Sequence, residues 1–395
     1  MSSQREVVVL SGVRTAIGGF GGSLKDQPPS ELAAMIVREA ISRAGVEAQE
    51  IEHVVFGHVI NTEPHDMYLG RVAAVKGGVP VETPAMTLNR LCGSGLQAIV
   101  SAAQSIMLGD ADAAIGGGAE VMSRAPYTVP AMRWGGRMGD AKLVDMMTGA
   151  LSDPFDDCHM GVTAENVAAK WGITREEQDA LAVVSHQRAA AAIAAGYFKS
   201  QIVPVELKVK GGVQVFDTDE NVRGDTAIEK LAKLRPVFQK DGSVTAGNAS
   251  SINDAAAAVV LMDRATAERR GYKPLARLVG YAHAGVEPKY MGIGPVPAVK
   301  RLLERTGVRL DEIDIFEVNE AFAAQALAVS KDLELPADKT NPNGSGISLG
   351  HPIGATGCIL TVKAVHELQR TGARYALVTM CIGGGQGIAA IFERL

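Results

Sequence analysis

The sequence predicts an α/β protein made of two similar halves with an inserted segment. Residues 42–57 match residues 304–319 without gaps, 262 positions further on. In each copy, runs rich in β-branched residues alternate with amphipathic helices, which is typical of mixed or parallel sheets covered by helices. Residues 121–245 have no counterpart in the second copy. The long period therefore indicates a duplicated α/β body with an inserted subdomain, not a solenoid.

Length and composition indicate a large globular protein. A chain of 395 residues is longer than a single hydrophobic core usually supports. The hydrophobic fraction of 47% supplies enough apolar side chains for more than one core. A net charge of −5 and the lack of Lys/Arg runs give no attraction to nucleic acid or a membrane surface, so we expect neither as a partner.

The ends and the cysteines bear on location. No apolar segment is expected to reach the length of a membrane span, and a strand begins near residue 7, which leaves no room for a signal or transit peptide. Four cysteines without a Cys-x-x-Cys pair fit neither a disulfide framework nor a structural zinc site. We therefore expect a cytoplasmic protein with free thiols and no metal.

The first half opens with a buried strand at residues 7–10. A helix follows at 30–44 and ends at Gly45, where a glycine is the usual stop signal, and a second strand is expected at 51–59.

Cys92 lies at the next transition, between an apolar strand at 84–91 and a helix at 96–107. Gly93 and Gly95 permit the sharp turn between them. A thiol there meets the partial positive charge of a helix N-terminus, which favours the nucleophilic thiolate. A small buried core residue is the alternative, and this motif alone leaves both interpretations open.

The second copy repeats this turn, because Gly95 matches Gly357 and a helix is expected from there to about residue 369. Both copies then end in a strand with three glycines, at 113–118 and 378–385. Within the insertion, a helix at 175–195 carries a capping-box pattern, Thr174 followed by Glu177. The last strand of the first half is expected at 255–262.

These elements divide the chain into three parts. The first half comprises residues 1–120 together with 246–272, the inserted domain comprises 121–245, and the second half comprises 273–395.

Polar residues gather on four loops at corresponding strand ends. They are Cys92, Asn319 with Glu320, His351 between glycines, and Cys381 beside three glycines whose amides could bind an oxyanion. Each alone is more often a turn or packing residue. Together they provide a nucleophile, a base and an orienting group.

Seven segments of the sequence resemble the thiolase family, acetyl-CoA acetyltransferases and bacterial β-ketothiolases. The most specific are LNRLCGSGLQA, NEAFAAQ, GISLGHPIGATG and CIGGGQG, and the others are VVVLSGVRTAIGGFGGSL, HMGVTAENVA and AGNASSINDAAAA. The resemblance covers essentially the whole chain. It implies mixed five-stranded sheets with helices in α-β-α-β-α layers, plus a loop domain that binds coenzyme A.

The resemblance also implies roles in a ping-pong acyl transfer. Cys92 corresponds to the nucleophile that carries the acyl group as a thioester, and His351 to the histidine that activates it. Asn319 corresponds to the residue that holds a water in an oxyanion hole. Cys381 corresponds to the acid/base at C2 of acetyl-CoA, and the amides of Cys92 and Gly383 to a second oxyanion hole.

The inserted segment is similar to the part of the family that covers the active site with bound coenzyme A. No cofactor is implied beyond coenzyme A and acyl-CoA as substrates, and the assembly implied is a homodimer or homotetramer. The candidate coenzyme A residues are Leu151, His159, Met160, Arg223, Phe238, Ser250 and Met291, although apolar channel residues cannot be distinguished from core by type.

Two positions depart from the family pattern. Ser345 and Ser251 both stand where glycine is commoner, and they leave the shape of the acyl pocket open.

The sequence favours a thiolase acting on acetyl-CoA and short 3-ketoacyl-CoA over three other functions. A decarboxylating condensing synthase of the same fold would favour a second histidine where Asn319 stands. A non-catalytic coenzyme A or lipid-binding protein would not need Cys92, His351 and Cys381, and a turnover assay separates the two. Dinucleotide binding lacks the G-x-G-x-x-G turn after the first strand.

Overall fold

The structure, a computed structural model, describes residues 5–395. The elements up to residue 121 include every predicted strand and helix, together with an unpredicted two-residue strand at 18–19 and an unpredicted helix at 69–76. They are β1 (Val7–Thr15), β2 (Gly18–Gly19), α1 (Pro29–Ala44), β3 (His53–Gly57), α2 (Leu69–Lys76), β4 (Ala85–Leu88), α3 (Ser94–Leu108) and β5 (Ala113–Val121).

The segment that follows β5 forms short strands and two long helices. Its longer helix begins at the predicted capping box, in which Glu177 N–H donates to Thr174 Oγ1 at 3.2 Å and Thr174 N–H donates to Glu177 Oε2 at 2.7 Å. The elements are β6 (Tyr127–Thr128), β7 (Val144–Asp145), α4 (Met146–Ala150), β8 (Ser152–Asp153), β9 (Cys158–His159), α5 (Met160–Trp171), α6 (Arg175–Ala194), β10 (Ile202–Val203), β11 (Val205–Val209), β12 (Gly212–Phe216) and α7 (Ile228–Leu231).

The rest of the chain returns to the alternating pattern. Its elements are β13 (Asn253–Asp263), α8 (Arg264–Arg270), β14 (Ala276–Gly285), α9 (Pro295–Thr306), β15 (Ile315–Val318), α10 (Ala323–Leu333), α11 (Gly346–Leu349), α12 (Ile353–Thr371), β16 (Tyr375–Ile382) and β17 (Gln386–Arg394).

The strands form a mirrored order that confirms the duplication. The order is β15-β16-β17-β14-β1-β13-β5-β3-β4, so β3 matches β15, β5 matches β16 and β1 matches β14 on either side of the centre. The matching pairs β3 with β5 and β15 with β16 are parallel, and the next pair toward the centre of the sheet is antiparallel in each half, β5 with β13 and β16 with β17. In the first half β3 also pairs in parallel with β4. The segment boundaries at residues 120, 245 and 272 stay a prediction.

The observed strands differ in two respects from two separate five-stranded sheets. β1 and β14 join the halves through two residue pairs, Val8 with Arg277 and Val9 with Ala276. The fifth strand of the second half is reduced to a single bridge between Phe316 and Thr340. After Thr340 the chain cannot continue as a strand, since Asn341 has a φ of +49° and the next residue is a proline.

Helices α3 and α12 pack against each other at the centre of the molecule, and α12 contacts strands of both halves. They cross at Gly95 and Gly357, the pair matched by the repeat. A Cβ on Gly95 would lie 2.7 Å from Cys358 N, and one on Gly357 would lie 2.4 Å from Leu96 N. Because both contacts are with backbone, only glycine allows this close crossing.

The expectation that no apolar segment reaches membrane-spanning length was wrong, because one segment is long and apolar enough to cross a membrane. Leu91–Leu108 passes that test, but 67% of it is buried inside the fold. Because α3 packs against β3, β5 and α12, its apolar surface is accounted for by the core.

Candidate active site

Cys92 lies in a 3-10 turn, Leu91–Gly93, between β4 and α3. Ser94 fixes the turn, because Arg90 N–H donates to its Oγ at 2.8 Å and this hydroxyl donates to Leu91 O at 2.7 Å. Leu91 adopts a φ of +46°, a costly conformation for a residue with a side chain. The strained turn presents the half-buried Cys92 at the beginning of α3.

The thiol of Cys92 is not predisposed to ionise, contrary to the expectation from the helix N-terminus. Burial raises its pKa to about 11, while the backbone N–H groups of Gly383 and of Cys92 itself lower the pKa and Glu120 raises it further. Desolvation therefore outweighs the local dipoles, and the side chain of Cys92 rests as a thiol.

His351 lies between α11 and α12, in a position fixed from both sides. Its N–H donates to Asn253 Oδ1 at 2.8 Å, and its ring Nδ1 lies 2.7 Å from Thr356 Oγ1. The Thr356 hydroxyl donates to Pro352 O at 3.1 Å, so it accepts from Nδ1–H, which leaves Nε2 without a proton. Burial lowers the pKa of His351 to about 4, and the imidazole is a neutral base.

Asn319 follows β15 and lies against the His351 ring. Its Nδ2 is 3.4 Å from Nε2 and 3.5 Å from Nδ1 of the imidazole. Asn319 is fully buried, yet its Oδ1 has no partner among residues 5–395. A buried amide oxygen without a protein partner calls for an ordered water or a ligand.

Cys381 is the next-to-last residue of β16 and is fully buried. Burial and the neighbouring Cys92 both raise the pKa of its thiol. All four cysteines are free, so Cys92 and Cys381 are two thiols beside one another and not a disulfide.

One cavity of about 220 Å³ collects most of the predicted site residues. Cys92, His351, Cys381 and Gly383 line it, and Asn319 lies behind His351, outside the lining. Of the candidate coenzyme A residues, those that line it are Leu151, His159, Met160, Phe238, Ser250 and Met291. Arg223 does not line it; the side chain is exposed and its backbone N–H donates to His186 Nδ1 at 3.2 Å.

Aromatic rings build the outer wall of the cavity. His159 stacks on Phe238 with a centroid distance of 4.7 Å, and Phe238 meets Phe322 edge-on at 6.2 Å. His159 Nδ1 accepts from Gly161 N–H at 3.0 Å, which places the ring at the start of α5. A Cβ on Gly161 would lie 2.2 Å from the Phe238 ring, so the wall requires this glycine.

The two departures from the family pattern differ in position. Ser345 is buried and donates to Val318 O at 2.9 Å, which bonds it to the strand that precedes Asn319. Ser251 lines the cavity and donates to Asn253 Oδ1 at 3.0 Å, the same oxygen that holds His351 N–H. Of the two serines, only Ser251 lines the cavity and can alter its shape directly.

Sequence reasoning missed Thr356, Glu120 and part of the apolar lining. Thr356 lies five residues beyond His351, in the segment GISLGHPIGATG. Its hydroxyl, a possible partner for the histidine ring, was the signal that could have identified it. The overlooked lining residues carry no signal beyond apolar or small side chains; they include Met122, Ala150, Ile252, Ala321, Phe322 and Ile353. Within residues 5–395, no cluster of three or more His, Cys, Asp or Glu side chains could hold a metal ion.

Comparisons with known proteins agree along the whole chain. Residues 7–265 match the thiolase N-terminal domain and residues 272–394 match the thiolase C-terminal domain. The chain is 70% identical to beta-ketothiolase BktB of Cupriavidus necator, over 99% of this chain and 100% of that protein. It is 51% identical to an acetyl-CoA acetyltransferase of Pseudomonas aeruginosa, again over 99% and 100% of the two chains.

Solved structures give the same result. The acetyl-CoA acetyltransferase of Bacillus anthracis superposes with a TM-score of 0.97 at 47% identity, covering 100% of both chains. Human mitochondrial 3-ketoacyl-CoA thiolase in complex with CoA superposes with a TM-score of 0.96 at 44% identity, covering 99% of this chain and 98% of that one. With both domains matched and relatives of this identity aligned along the whole chain, the protein belongs to the thiolase family.

Proposed function

We propose that the protein is an acyl-CoA C-acyltransferase that cleaves short 3-ketoacyl-CoA with coenzyme A, or condenses acetyl-CoA with a short acyl-CoA. The observation that carries the proposal is the meeting of a thiol nucleophile, a neutral imidazole and a second thiol in one cavity. The names of the relatives, beta-ketothiolase and acetyl-CoA acetyltransferase, support the same activity.

The first half-reaction of cleavage transfers the acyl group to Cys92. His351 Nε2 takes the thiol proton as sulphur attacks the C3 carbonyl of the 3-ketoacyl-CoA. The bond between C2 and C3 then breaks, leaving an acyl thioester on Cys92 and a carbanion at C2 of acetyl-CoA. Cys381 donates its thiol proton to this carbanion, and acetyl-CoA leaves.

The second half-reaction returns the acyl group to coenzyme A. The Cys381 thiolate takes the thiol proton of an incoming coenzyme A, whose sulphur attacks the acyl-Cys92 carbonyl. The Cys92 sulphur leaves and recovers its proton from His351, so both catalytic groups regain their starting states. Condensation is the reverse, with Cys381 removing a proton from C2 of acetyl-CoA.

Two sets of donors are available for the negative oxygens of these steps. The N–H groups of Cys92 and Gly383 face the Cys92 sulphur and form one oxyanion site. His351 and a water held by the unpartnered Asn319 Oδ1 form the other. Fixed donors in a dry cavity stabilise an enolate or tetrahedral oxyanion more than bulk water does.

Substitution of Cys92 tests the proposal. We expect Cys92→Ser to abolish thiolysis of acetoacetyl-CoA and to leave no acyl group on the protein after treatment with acetyl-CoA, as measured by intact-protein mass spectrometry. Cys158→Ser is the matched control, because Cys158 is also partly exposed but lies outside the cavity. Near-parental thiolysis by Cys92→Ser would refute the proposal.

The preferred length of the acyl chain is found from kcat/KM for 3-ketoacyl-CoAs of increasing length, because specificity is a difference in transition-state binding. We propose the shorter substrates, since a 220 Å³ cavity with Leu151, Met291 and Phe322 in its wall leaves limited room beyond the pantetheine arm. Because 3-ketoacyl-CoAs are the proposed substrates, we also propose a role in fatty acid metabolism, in either the cleavage or the condensation direction.

We further propose a cytoplasmic homotetramer or homodimer. Four free thiols suit a reducing compartment. Large apolar side chains are exposed between β6 and β9, with Trp134 at 92% and Met138 at 97% exposure, which is unusual for a surface that remains in water. The native mass from light scattering tests the assembly, and a monomer at micromolar concentration would contradict it.

A further inference from the structure

A fully buried carboxylate lies next to the catalytic turns without lining the cavity. Glu120 follows the glycines of β5, and both of its oxygens are occupied by donors. Its Oε2 accepts from Val59 N–H and from Gly354 N–H, both at 3.0 Å. Its Oε1 accepts from Ile60 N–H at 3.1 Å and lies 3.3 Å from His58 Nδ1.

These contacts indicate that Glu120 is ionised. Burial raises the pKa of Glu120, and His58 and the three backbone N–H groups offset only part of that increase, so it is the hydrogen bonds that indicate the protonation state. Every neighbour of the two oxygens is a donor, and His58 Nδ1 also donates to Ala119 O at 2.8 Å. A neutral carboxylic acid would have no acceptor for its proton, so the carboxylate is the form that fits.

The carboxylate connects both catalytic turns. Gly354 is the second residue of α12, which begins two residues after His351, so Glu120 satisfies an N–H that the helix leaves unpaired. Val59 and Ile60 belong to the apolar cluster in which Cys92 packs. A Cβ on Gly354 would lie 2.4 Å from Glu120 Oε2, so glycine is required for this contact.

We propose that Glu120 is a positioning residue for Cys92 and His351: it holds the first turn of α12 in place, and its negative charge beside Cys92 adds to the effect of burial in keeping the resting thiol protonated. The charge opposes a free thiolate but stabilises the imidazolium that forms when His351 takes the proton. Cys92 then becomes nucleophilic only as its proton moves to His351, and it reacts little with other electrophiles.

Other ionisable groups do not supply this effect. Cys92 is faced by His351 and Cys381, both uncharged at neutral pH, and by Glu120. Behind Glu120 lies His58, whose Nε2 is 3.8 Å from the buried Asp66. The next charges, Arg124 and Glu63, form their own ion pair at 2.8 Å further out.

The experiment measures alkylation of Cys92 by iodoacetamide between pH 7 and 10, followed by peptide mass spectrometry. Glu120→Gln removes the charge and keeps the shape. We expect it to alkylate about tenfold faster than the parent at pH 8, because thiolate fraction changes tenfold per unit of pKa. An unchanged or slower rate would overturn the proposal.

Glu120→Asp is the second variant, since a glutamine amide beside three N–H groups could prevent folding. Aspartate keeps the charge but is too short to reach Gly354. We expect the parental alkylation profile together with a kcat lowered about tenfold. The KM for acyl-CoA should not change, because Glu120 does not line the cavity. A profile shifted to lower pH, or an unchanged kcat, would overturn the proposal.

The inference rests on Cys92 being the nucleophile, as proposed above. Alkylation measures the thiol without turnover, so the two proposals fail separately. If Cys92→Ser stayed active, the proposed function would fail. If Glu120→Gln alkylated at the parental rate, only the role of Glu120 would fail.

Discussion

At the scale of single residues, the three side chains to which we assign the chemistry, Cys92, His351 and Cys381, are all uncharged at rest. Burial raises the pKa of both thiols and lowers that of the imidazole. A dry cavity makes each isolated charge costly, so proton transfer and bond formation have to occur together. The geometry of the hydrogen bonds therefore controls reactivity more than a standing ion pair does.

The hydrogen bond from His351 to Thr356 gives the first prediction. Thr356→Val removes the acceptor for Nδ1–H, so the ring loses its preference for the tautomer with a free Nε2. We expect kcat for thiolysis to fall about tenfold or more with little change in KM. Thr356→Ser keeps the hydroxyl and should retain most of the activity; equal loss in both variants would mean that the hydroxyl is not what matters.

The acid limb of the pH profile gives the second prediction. The pKa of His351 is lowered to about 4 by burial, so the imidazole stays unprotonated, and able to accept a proton, until the pH falls through that value. We expect kcat/KM to hold from pH 7 to about pH 5 and to decline below. A decline centred at the ordinary histidine pKa of about 6.5 would contradict the buried, neutral base.

At the scale of secondary-structure elements, the site depends on how α3 and α12 cross. Each helix begins two residues after a proposed catalytic residue, Cys92 for α3 and His351 for α12. Their separation therefore sets the separation of the nucleophile from its base.

Widening the crossing gives the third prediction. Gly357→Ala places a Cβ 2.4 Å from Leu96 N, so the helices have to move apart. We expect a loss of about 1–3 kcal/mol in the free energy of unfolding and a lower kcat. Gly149→Ala, which meets nothing within 4 Å, is the control and should leave both unchanged. Denaturant titration and steady-state kinetics measure the two effects, and a Gly357→Ala variant equal to the control would contradict the argument.

The attachment of the inserted segment to the body gives the fourth prediction. Arg14 on β1 forms a buried bidentate ion pair with Asp219, at 2.7 and 3.0 Å, and Ile17 N–H donates to the same carboxylate at 2.8 Å. Arg14→Met leaves Asp219 buried without its cation, which we expect to cost about 3–5 kcal/mol of unfolding free energy.

Arg309→Met is its control, because Arg309 pairs with Asp311 on the surface. The control should leave Tm unchanged. Similar Tm values for the two variants, measured by calorimetry, would show that the buried pair does not secure the insertion.

At the scale of the whole molecule, the repeat was the part that the sequence specified best. A gapless match fixes where strands and helices recur, and the mirrored strand order follows from it. The loops that carry Cys92, Asn319, His351 and Cys381 were found because polar residues at buried strand ends require partners. Which of these residues contact one another, such as Asn319 lying behind the imidazole of His351, depends on distances in the folded protein that the sequence does not contain.

Other features lay beyond such reasoning for physical reasons. The helix N-terminus at Cys92 suggested a thiolate, but desolvation depends on what packs around the thiol and proved the larger effect. Glu120 was missed because a carboxylate after a glycine-rich strand is usually exposed. Only the fold shows that it receives donors from Ile60 and Gly354, far apart in the chain.

The contact between Gly95 and Gly357 also bears on the ancestry of the enzyme. If the two halves had been separate identical chains, one glycine would have stood at both positions, facing its own copy in the partner. A mutation there would then have altered both sides of the contact at once. Within one chain the rest of the interface is not bound by that symmetry. Position 92 carries a sulphur while its counterpart is Gly354, and position 351 is histidine while its counterpart is Asn89. One complete catalytic centre could thus evolve where symmetry would have demanded two identical ones.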